Sequence, residues 1–289
     1  MGAGATGLSN WKLVLRLGRV SNLPTVWSNL LAGLVLAGGA RAGAGVDVYT
    51  LLILIPAVSL IYVSGMFLND AFDRDYDAAL RPDRPIPSGQ VSAAHVFIAG
   101  YIQMATGLAL LVFLGVQALA SALVLCGFIL LYDIRHKNNP ASPILMGMCR
   151  TLVYVLASIA GGAMVIAIPM LALFYVAGLT YAAKKENLLE FGNAWPLLMF
   201  ALPLIWVAAN ANFSSAPFLL VFLGWTGYAL RMLLFRNALD IRRAVGALIA
   251  GLSLFDAVLI AEAGQPYLAM AAVAAFALTL MLHKHVPGT

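Results

Sequence analysis

Ten apolar runs, separated by gaps that carry most of the charge, dominate the pattern along the chain. They cover residues 23–40, 50–69, 92–114, 116–132, 143–161, 164–182, 194–210, 216–235, 243–262 and 267–283. A helix crossing the hydrocarbon core needs about 20 apolar residues. Each run is rich in Leu, Ala and Val and is read as one spanning helix. The gaps alternate in character. Those around Gly115, Gly161–Gly162 and Gly264–Pro266 are short, whereas those on the other side are longer and polar. Basic residues collect on the second side: Lys12, Arg16 and Arg19; Arg74, Arg81 and Arg84; Arg135, Lys137 and Arg150; Lys184 and Lys185; Arg231, Arg236, Arg242 and Arg243; and Lys284. Only Arg41 lies opposite. The positive-inside rule makes the basic side cytoplasmic. Both termini are then cytoplasmic if all ten runs span; if one of the last two is re-entrant, nine spans remain. The expected fold class is an all-α integral membrane bundle of nine or ten helices, a single unit over 1–289. Residues 10–20 set Lys12, Arg16 and Arg19 opposite Leu13, Leu17 and Val20, the pattern of a helix lying at the membrane interface.

Composition agrees. Of 289 residues, 62% are hydrophobic and 10% charged, against roughly 45–50% and 25% in soluble domains. An ordinary cytosolic enzyme, a disordered chain and a nucleic-acid binder are all excluded. The net charge of +5 reads as topology, since no basic stripe is interleaved with aromatics. Cys126 and Cys149 sit in apolar runs and read as small buried hydrophobes.

One acidic cluster breaks the pattern. After the second run stands Asn69-Asp70-Ala-Phe-Asp73-Arg74-Asp75-Tyr76-Asp77. Asp70, Asp73 and Asp77 share one helical face, where like charges repel. They also close an apolar span, where ionisable groups are expensive. A multivalent cation removes both costs. Hard oxygen donors suit Mg²⁺, which takes one or two carboxylates and completes its shell with water and phosphate. The cluster is therefore read as a Mg²⁺–diphosphate site, with Asp75 pointing elsewhere. Next comes Arg81-Pro-Asp-Arg84-Pro-Ile-Pro-Ser-Gly89. Its three prolines predict an extended, stiff loop whose Arg81 and Arg84 can clamp phosphate oxygens.

These two stretches resemble the motif of the UbiA superfamily of intramembrane prenyltransferases, and the likeness in length, spans and motif position covers essentially the whole chain. The resemblance implies a helical bundle around a central cavity, its polar mouth on the cytoplasmic side. It also implies Mg²⁺-dependent ionisation of a polyprenyl diphosphate and prenyl transfer to an acceptor. By this resemblance Asn69, Asp70, Asp73 and Asp77 form the first metal and diphosphate site. In the loop Tyr132-Asp-Ile-Arg135-His-Lys137, Lys137 and Arg135 match as diphosphate contacts. The stretches Asn22-Leu-Pro-Thr-Val-Trp-Ser-Asn29 and Met146-Gly-Met-Cys-Arg150 resemble the EboC-type subgroup, which has no assigned acceptor.

The family's second Asp-rich motif is missing, but an internal repeat locates its place. YVSGMFLNDAFD at 62–73 matches YVAGLTYAAKKE at 175–186, which aligns Asp73 with Glu186 and Asp77 with Glu190. The offset of about four spans preserves orientation, so two four-helix halves are expected as a parallel repeat. Glu186 and Glu190 then hold a second Mg²⁺, or Lys184 and Lys185 neutralise diphosphate as point charges.

Other polar positions remain open. Asn22 and Asn29 lie seven apart, on one face. They line the cavity with Tyr62, Arg150 and Tyr181, or they cap and bridge helices. Arg150 reaches the diphosphate or snorkels to the interface. Asp256, deep in the ninth run, is a functional carboxylate or a protonated, hydrogen-bonded one. The four histidines show no metal-ligand spacing. A prenyltransferase working in the lipid bilayer, with Mg²⁺ as cofactor, a polyprenyl diphosphate donor and an unidentified acceptor, is the first functional reading. A carrier for polyprenyl or phospho-ligands is the second. A CDP-alcohol phosphotransferase would need Asp-Gly and Ala-Arg ahead of its later aspartates, and residues 69–77 lack them.

Overall fold

The computed structural model describes residues 11–40, 45–137, 139–184, 195–235, 238–286 and 288. Among these the chain is helical without strands. Its helices are α1 (Trp11–Leu17), α2 (Leu23–Ala40), α3 (Val48–Phe72), α4 (Arg74–Leu80), α5 (Ala93–Leu111), α6 (Val116–Arg135), α7 (Ser142–Ala160), α8 (Pro169–Lys184), α9 (Ala201–Asn210), α10 (Ala216–Phe235), α11 (Ala238–Glu262) and α12 (Pro266–His283).

Eight described helices are long and apolar enough to cross a membrane. The sixth and seventh expected spans differ from the rest: their apolar helical stretches, Pro169–Ala182 and Leu198–Asn210, are shorter. Proline accounts for the difference. Pro169 opens α8 five residues later than expected, as proline suits a first helical position. Residues Trp195–Phe200 wind as a 3₁₀ helix containing Pro196, and α9 follows with Pro203 near its start. A proline inside a helix removes one backbone donor and crowds the preceding turn.

Helices α2 and α11 are the most enclosed, with 89% and 83% of their spans buried. Two apolar clusters share α2 and α7. Leu31, Val35 and Tyr154 pack with α8, α10 and α11. Val26, Leu30, Leu34, Val153 and Leu156 pack with α3, α5 and α6. Lipid is as apolar as leucine, so such contacts depend on close fit and small residues. A Cβ on Gly33 of α2 would lie 2.6 Å from the Tyr154 carbonyl of α7, and one on Gly107 of α5 would lie 2.6 Å from the Ala57 carbonyl of α3. Glycine is what lets these backbones touch.

Leu13 and Leu17 of α1 are buried with Phe67, Ala71 and Val96 of α3 and α5. One local expectation is corrected. The proline loop is not extended but folds into successive turns, with Arg84 N–H on the Arg81 carbonyl, Ser88 N–H on the Arg84 carbonyl and Gly89 N–H on the Ile86 carbonyl. Proline presets the φ of a turn as readily as that of an extended chain. Gly89 closes the loop at φ 75°, in the left-handed region that glycine enters without strain.

Candidate functional site

Helix α3 has 25 residues and so spans about 37 Å, more than the roughly 30 Å of hydrocarbon. The excess lifts Asn69 and Asp70 towards the polar side. Asp73 links α3 to α4, its N–H bonded to the Asn69 carbonyl while its own carbonyl takes the Asp77 N–H. Helical winding therefore continues through the cluster, and the expected common face forms. Asp75 is excluded from it: its side chain is 87% exposed and pairs with Arg74.

Each carboxylate meets cations from another segment. Asp70 Oδ1 lies 3.2 Å from Arg84 and 3.3 Å from Arg19. Asp77, with a side chain 1% exposed, takes Arg84 at 2.8 Å through Oδ2. Asp73 Oδ2 takes Lys137 at 2.8 Å and His136 Nε2 at 3.2 Å. Burial raises the Asp73 carboxyl, but His136 and Lys137 outweigh it and hold the group below its ordinary value. Asn69 Nδ2 donates to Asp133 Oδ1 at 3.2 Å. Lys137 also stands 4.0 Å over the Tyr76 ring, within cation–π range. Of the predicted diphosphate contacts, Arg84 and Lys137 are in the cluster, whereas Arg81 and Arg135 are exposed beside it.

Three members are not evident from the sequence. Arg19 reads there as part of an outer face with Lys12 and Arg16. In the fold it leaves α1 at φ 42° and ψ 46°, the one left-handed non-glycine among the described residues. That conformation carries a steric cost; here it accompanies a guanidinium turned in to Asp70. Asp133 and His136 belong to no expected contact, although spacings of three and four from Asp133 carry His136 and Lys137, just past the end of α6, round to its side. That periodicity is the signal that could find them.

The second half-site lies largely outside the described residues: Lys185, Glu186 and Glu190 are not among them, and the side chain of Lys184 is not described. Tyr181, on α8 ahead of it in the chain, donates to the Pro140 carbonyl at 2.8 Å. The shared face expected of Asn22 and Asn29 divides. Asn22 bonds His283 at 2.8 Å and the Gly288 carbonyl at 3.0 Å. Asn29 bonds Arg150, Tyr154 and Asp256 inside the bundle. Tyr62 packs beside the α2–α3 cluster. A cavity of about 530 Å³ opens between α10, α11 and α12, lined by Trp225, Tyr228, Arg242, Arg243 and His283 among others, and it shares no residue with the acidic cluster.

Among the described residues no three His, Cys, Asp or Glu side chains form a ready-made metal cage. The donor chemistry nevertheless fits Mg²⁺, which asks for one or two carboxylates. Asp77 Oδ1 and Asp133 Oδ2 are buried without a hydrogen-bond partner, a costly state for a carboxylate oxygen. A hard cation at Asp70, Asp73 and Asp77 would relieve it at Asp77.

The chain resembles characterised proteins over part of its length. Digeranylgeranylglyceryl phosphate synthase of Methanoregula boonei is 35% identical over 113 residues, 39% of this chain and 40% of that protein. 4-Hydroxybenzoate octaprenyltransferase of Pectobacterium carotovorum is 36% identical over 91 residues, 30% of this chain and 29% of that protein. The chain thus spans two-fifths or less of the length of these curated relatives. The fold extends further. A solved structure of digeranylgeranylglyceryl phosphate synthase superposes with a TM-score of 0.61 at 20% identity, covering 87% of this chain and 98% of that one. A UbiA homologue from Archaeoglobus fulgidus bound to GPP and Mg²⁺ gives 0.50 at 17% identity, covering 93% and 99%. Residues 25–186, more than half of the sequence and including the whole first acidic motif, match the UbiA prenyltransferase family, and the chain belongs to that family.

Proposed function

We propose that the protein transfers a prenyl group from a polyprenyl diphosphate to an acceptor held within the membrane, with Mg²⁺ at Asp70, Asp73 and Asp77. One observation supports this reading: the three motif carboxylates, Asp73 and Asp77 buried and Asp70 partly so, are paired with Arg19, Arg84 and Lys137, side chains of the kind that bind phosphate. The resting cluster is a set of internal ion pairs. These pairs would give way to a magnesium diphosphate, which carries both complementary charges. Asp70, Asp73 and Asp77 would hold the cation, and Arg19, Arg84 and Lys137 would hold the diphosphate oxygens. Little net charge is moved into the membrane, which keeps the desolvation cost low. When bound, Mg²⁺ supplies Lewis acidity at the diphosphate oxygens and a template for their orientation.

In the reaction the bond between C1 and the diphosphate oxygen breaks, and its electron pair leaves with the diphosphate. Arg19, Arg84 and Lys137 stabilise the charge growing on that leaving group, an interaction stronger in the transition state than before it. Arg84 reaches from a proline-stiffened turn, so little order remains to be imposed on it. The acceptor forms the new bond to C1 and gives up a proton. The apolar clusters around α2 and α7 exclude water, which would otherwise trap the allylic cation. The mouth faces the cytoplasm, as the basic flanks direct. Lys184, Lys185, Glu186 and Glu190 are proposed to close the site from the opposite half.

The test uses purified protein in detergent with labelled geranylgeranyl diphosphate, MgCl₂ and a panel of acceptors with and without acid groups. Mg²⁺-dependent release of pyrophosphate with a lipid-soluble product, lost in Asp73→Asn, is expected. Equal turnover by wild type and Asp73→Asn would overturn the assignment.

A further inference from the structure

Helix α11 is the inner member of the last three helices. Its span is 83% buried, whereas those of α10 and α12 are 28% and 17% buried, so the two outer helices are the ones left to lipid. The Trp225 and Phe276 rings meet edge to face at 4.8 Å and join α10 to α12. Beyond that contact, at the ends of the helices that carry Arg242, Arg243 and His283, lies the cavity of about 530 Å³. Its size is within the range of roughly 300–1,000 Å³ usual for ligand sites.

The walls are fixed and mixed in character. Trp225 Nε1 donates to the Ala247 carbonyl at 2.7 Å, which pins the indole. The Tyr228 ring stands 5.8 Å from it, and aromatic rings of this kind anchor spans at the headgroup level. His283 Nε2 lies 2.8 Å from Asn22 Oδ1, so the end of α12 is tied to the turn before α2. Met232 and Leu280 add apolar surface, and Arg242 and Arg243 add two exposed guanidinium groups that stay charged. Among the described residues no Asp or Glu lines the cavity. Two cations and interfacial aromatics beside an apolar wall match the polarity of a phospholipid at its phosphate and first acyl carbons. A free phosphate would leave the apolar wall unused. Basic pockets between spanning helices on the cytoplasmic side suit anionic headgroups.

We propose that this cavity binds the phosphate headgroup of an anionic phospholipid from the leaflet on the basic side, with Arg242 and Arg243 as its cations. The site is separate from the acidic cluster, and the proposal does not depend on the transfer reaction. The test is a thermal-shift titration of the detergent-solubilised full chain with dioleoyl phosphatidylglycerol, dioleoyl phosphatidylcholine or inorganic phosphate. Mg²⁺ and the unreactive donor geranylgeranyl thiodiphosphate are present throughout, to occupy the acidic cluster. Phosphatidylglycerol should stabilise more than phosphatidylcholine, and phosphate should have no effect at equal concentration. Arg242→Gln with Arg243→Gln should weaken phosphatidylglycerol by about tenfold or more in Kd. Arg74→Gln, which removes one cytoplasmic charge elsewhere, should leave the preference in place. A Cβ on Gly246 meets only the His283 ring, at 3.6 Å, so Gly246→Leu is expected to fold while filling the cavity, and it should also weaken the lipid. Asp73→Asn should keep the full preference. The proposal is overturned if the two lipids stabilise wild type equally, if phosphate reproduces the shift, or if the preference survives the arginine double variant. Loss of the preference in Arg74→Gln would point to diffuse surface charge, and loss in Asp73→Asn to binding at the acidic cluster; either overturns it. Should the double variant fail to fold, Gly246→Leu and Arg242→Gln alone decide.

Discussion

Replacing Arg84 with Met keeps the apolar stem and removes the charge that holds two carboxylates. Asp77 would then have neither oxygen paired, because Oδ1 already lacks a partner and Oδ2 loses its 2.8 Å contact. Breaking one side of a buried ion pair costs roughly 3–5 kcal/mol. Arg84 is 22% exposed, so the lower end, about 3 kcal/mol, is expected for the metal-free protein. Mg²⁺ should offset much of that loss. Bound to the freed carboxylates at a hundred times its Kd, it contributes about 2.7 kcal/mol. In wild type the cation must first displace Arg84, so its effect there is smaller. The assay is thermal unfolding of detergent-solubilised Arg84→Met and wild type, in EDTA and across a Mg²⁺ titration. Equal melting of the two in EDTA, or an equal Mg²⁺ gain in both, would refute the picture of carboxylates passed from arginine to metal.

Other outcomes follow from the same geometry. Arg19→Gln leaves Asp70 its Arg84 contact, so it should lower stability by less than about 1.5 kcal/mol yet raise KM for the donor, which steady-state kinetics would separate. Tyr154→Phe leaves Asp256 and Asn29 each short of a buried partner and should cost about 1.5–3 kcal/mol in a denaturation series. Gly33→Ala forces a methyl within 2.6 Å of the Tyr154 carbonyl and should cost about 1–3 kcal/mol, read as a lower melting midpoint. The Asp73 carboxyl is held below its ordinary value of 3.8 by His136 and Lys137, so its stabilising contribution is present above that pH and is lost as pH falls through the lower folded value. The stability difference between wild type and Asp73→Asn in EDTA should therefore be full at pH 6 and shrink below pH 4.

The apolar periodicity makes the bundle legible, because crossing a bilayer imposes a length on every helix. The acidic motif is legible for the same reason: three carboxylates closing an apolar span are costly unless cations meet them. What pattern cannot give is pairing across distant segments. Arg19 reads as a third interfacial cation until a left-handed turn carries it inwards. Asp256 reads as an isolated anomaly until Ser28, Asn29 and Tyr154 are brought around it from two other helices. The proline loop reads as extended, yet proline's φ suits turns equally well. Shortened helices at the sixth and seventh runs depend on Pro169, Pro196 and Pro203, whose effects turn on a shift of one or two positions.

The central claim is that the Asp70, Asp73 and Asp77 cluster holds a prenyl diphosphate through Mg²⁺. Its most direct measurement is the thermal stability of wild type and Asp73→Asn with prenyl diphosphates of increasing chain length, with and without Mg²⁺. Binding to the folded state raises apparent stability by mass action. The account predicts a shift in wild type that needs both donor and Mg²⁺, peaks at one chain length and disappears in Asp73→Asn. A folded wild type that shows no shift with any donor, or an equal shift in Asp73→Asn, would contradict it.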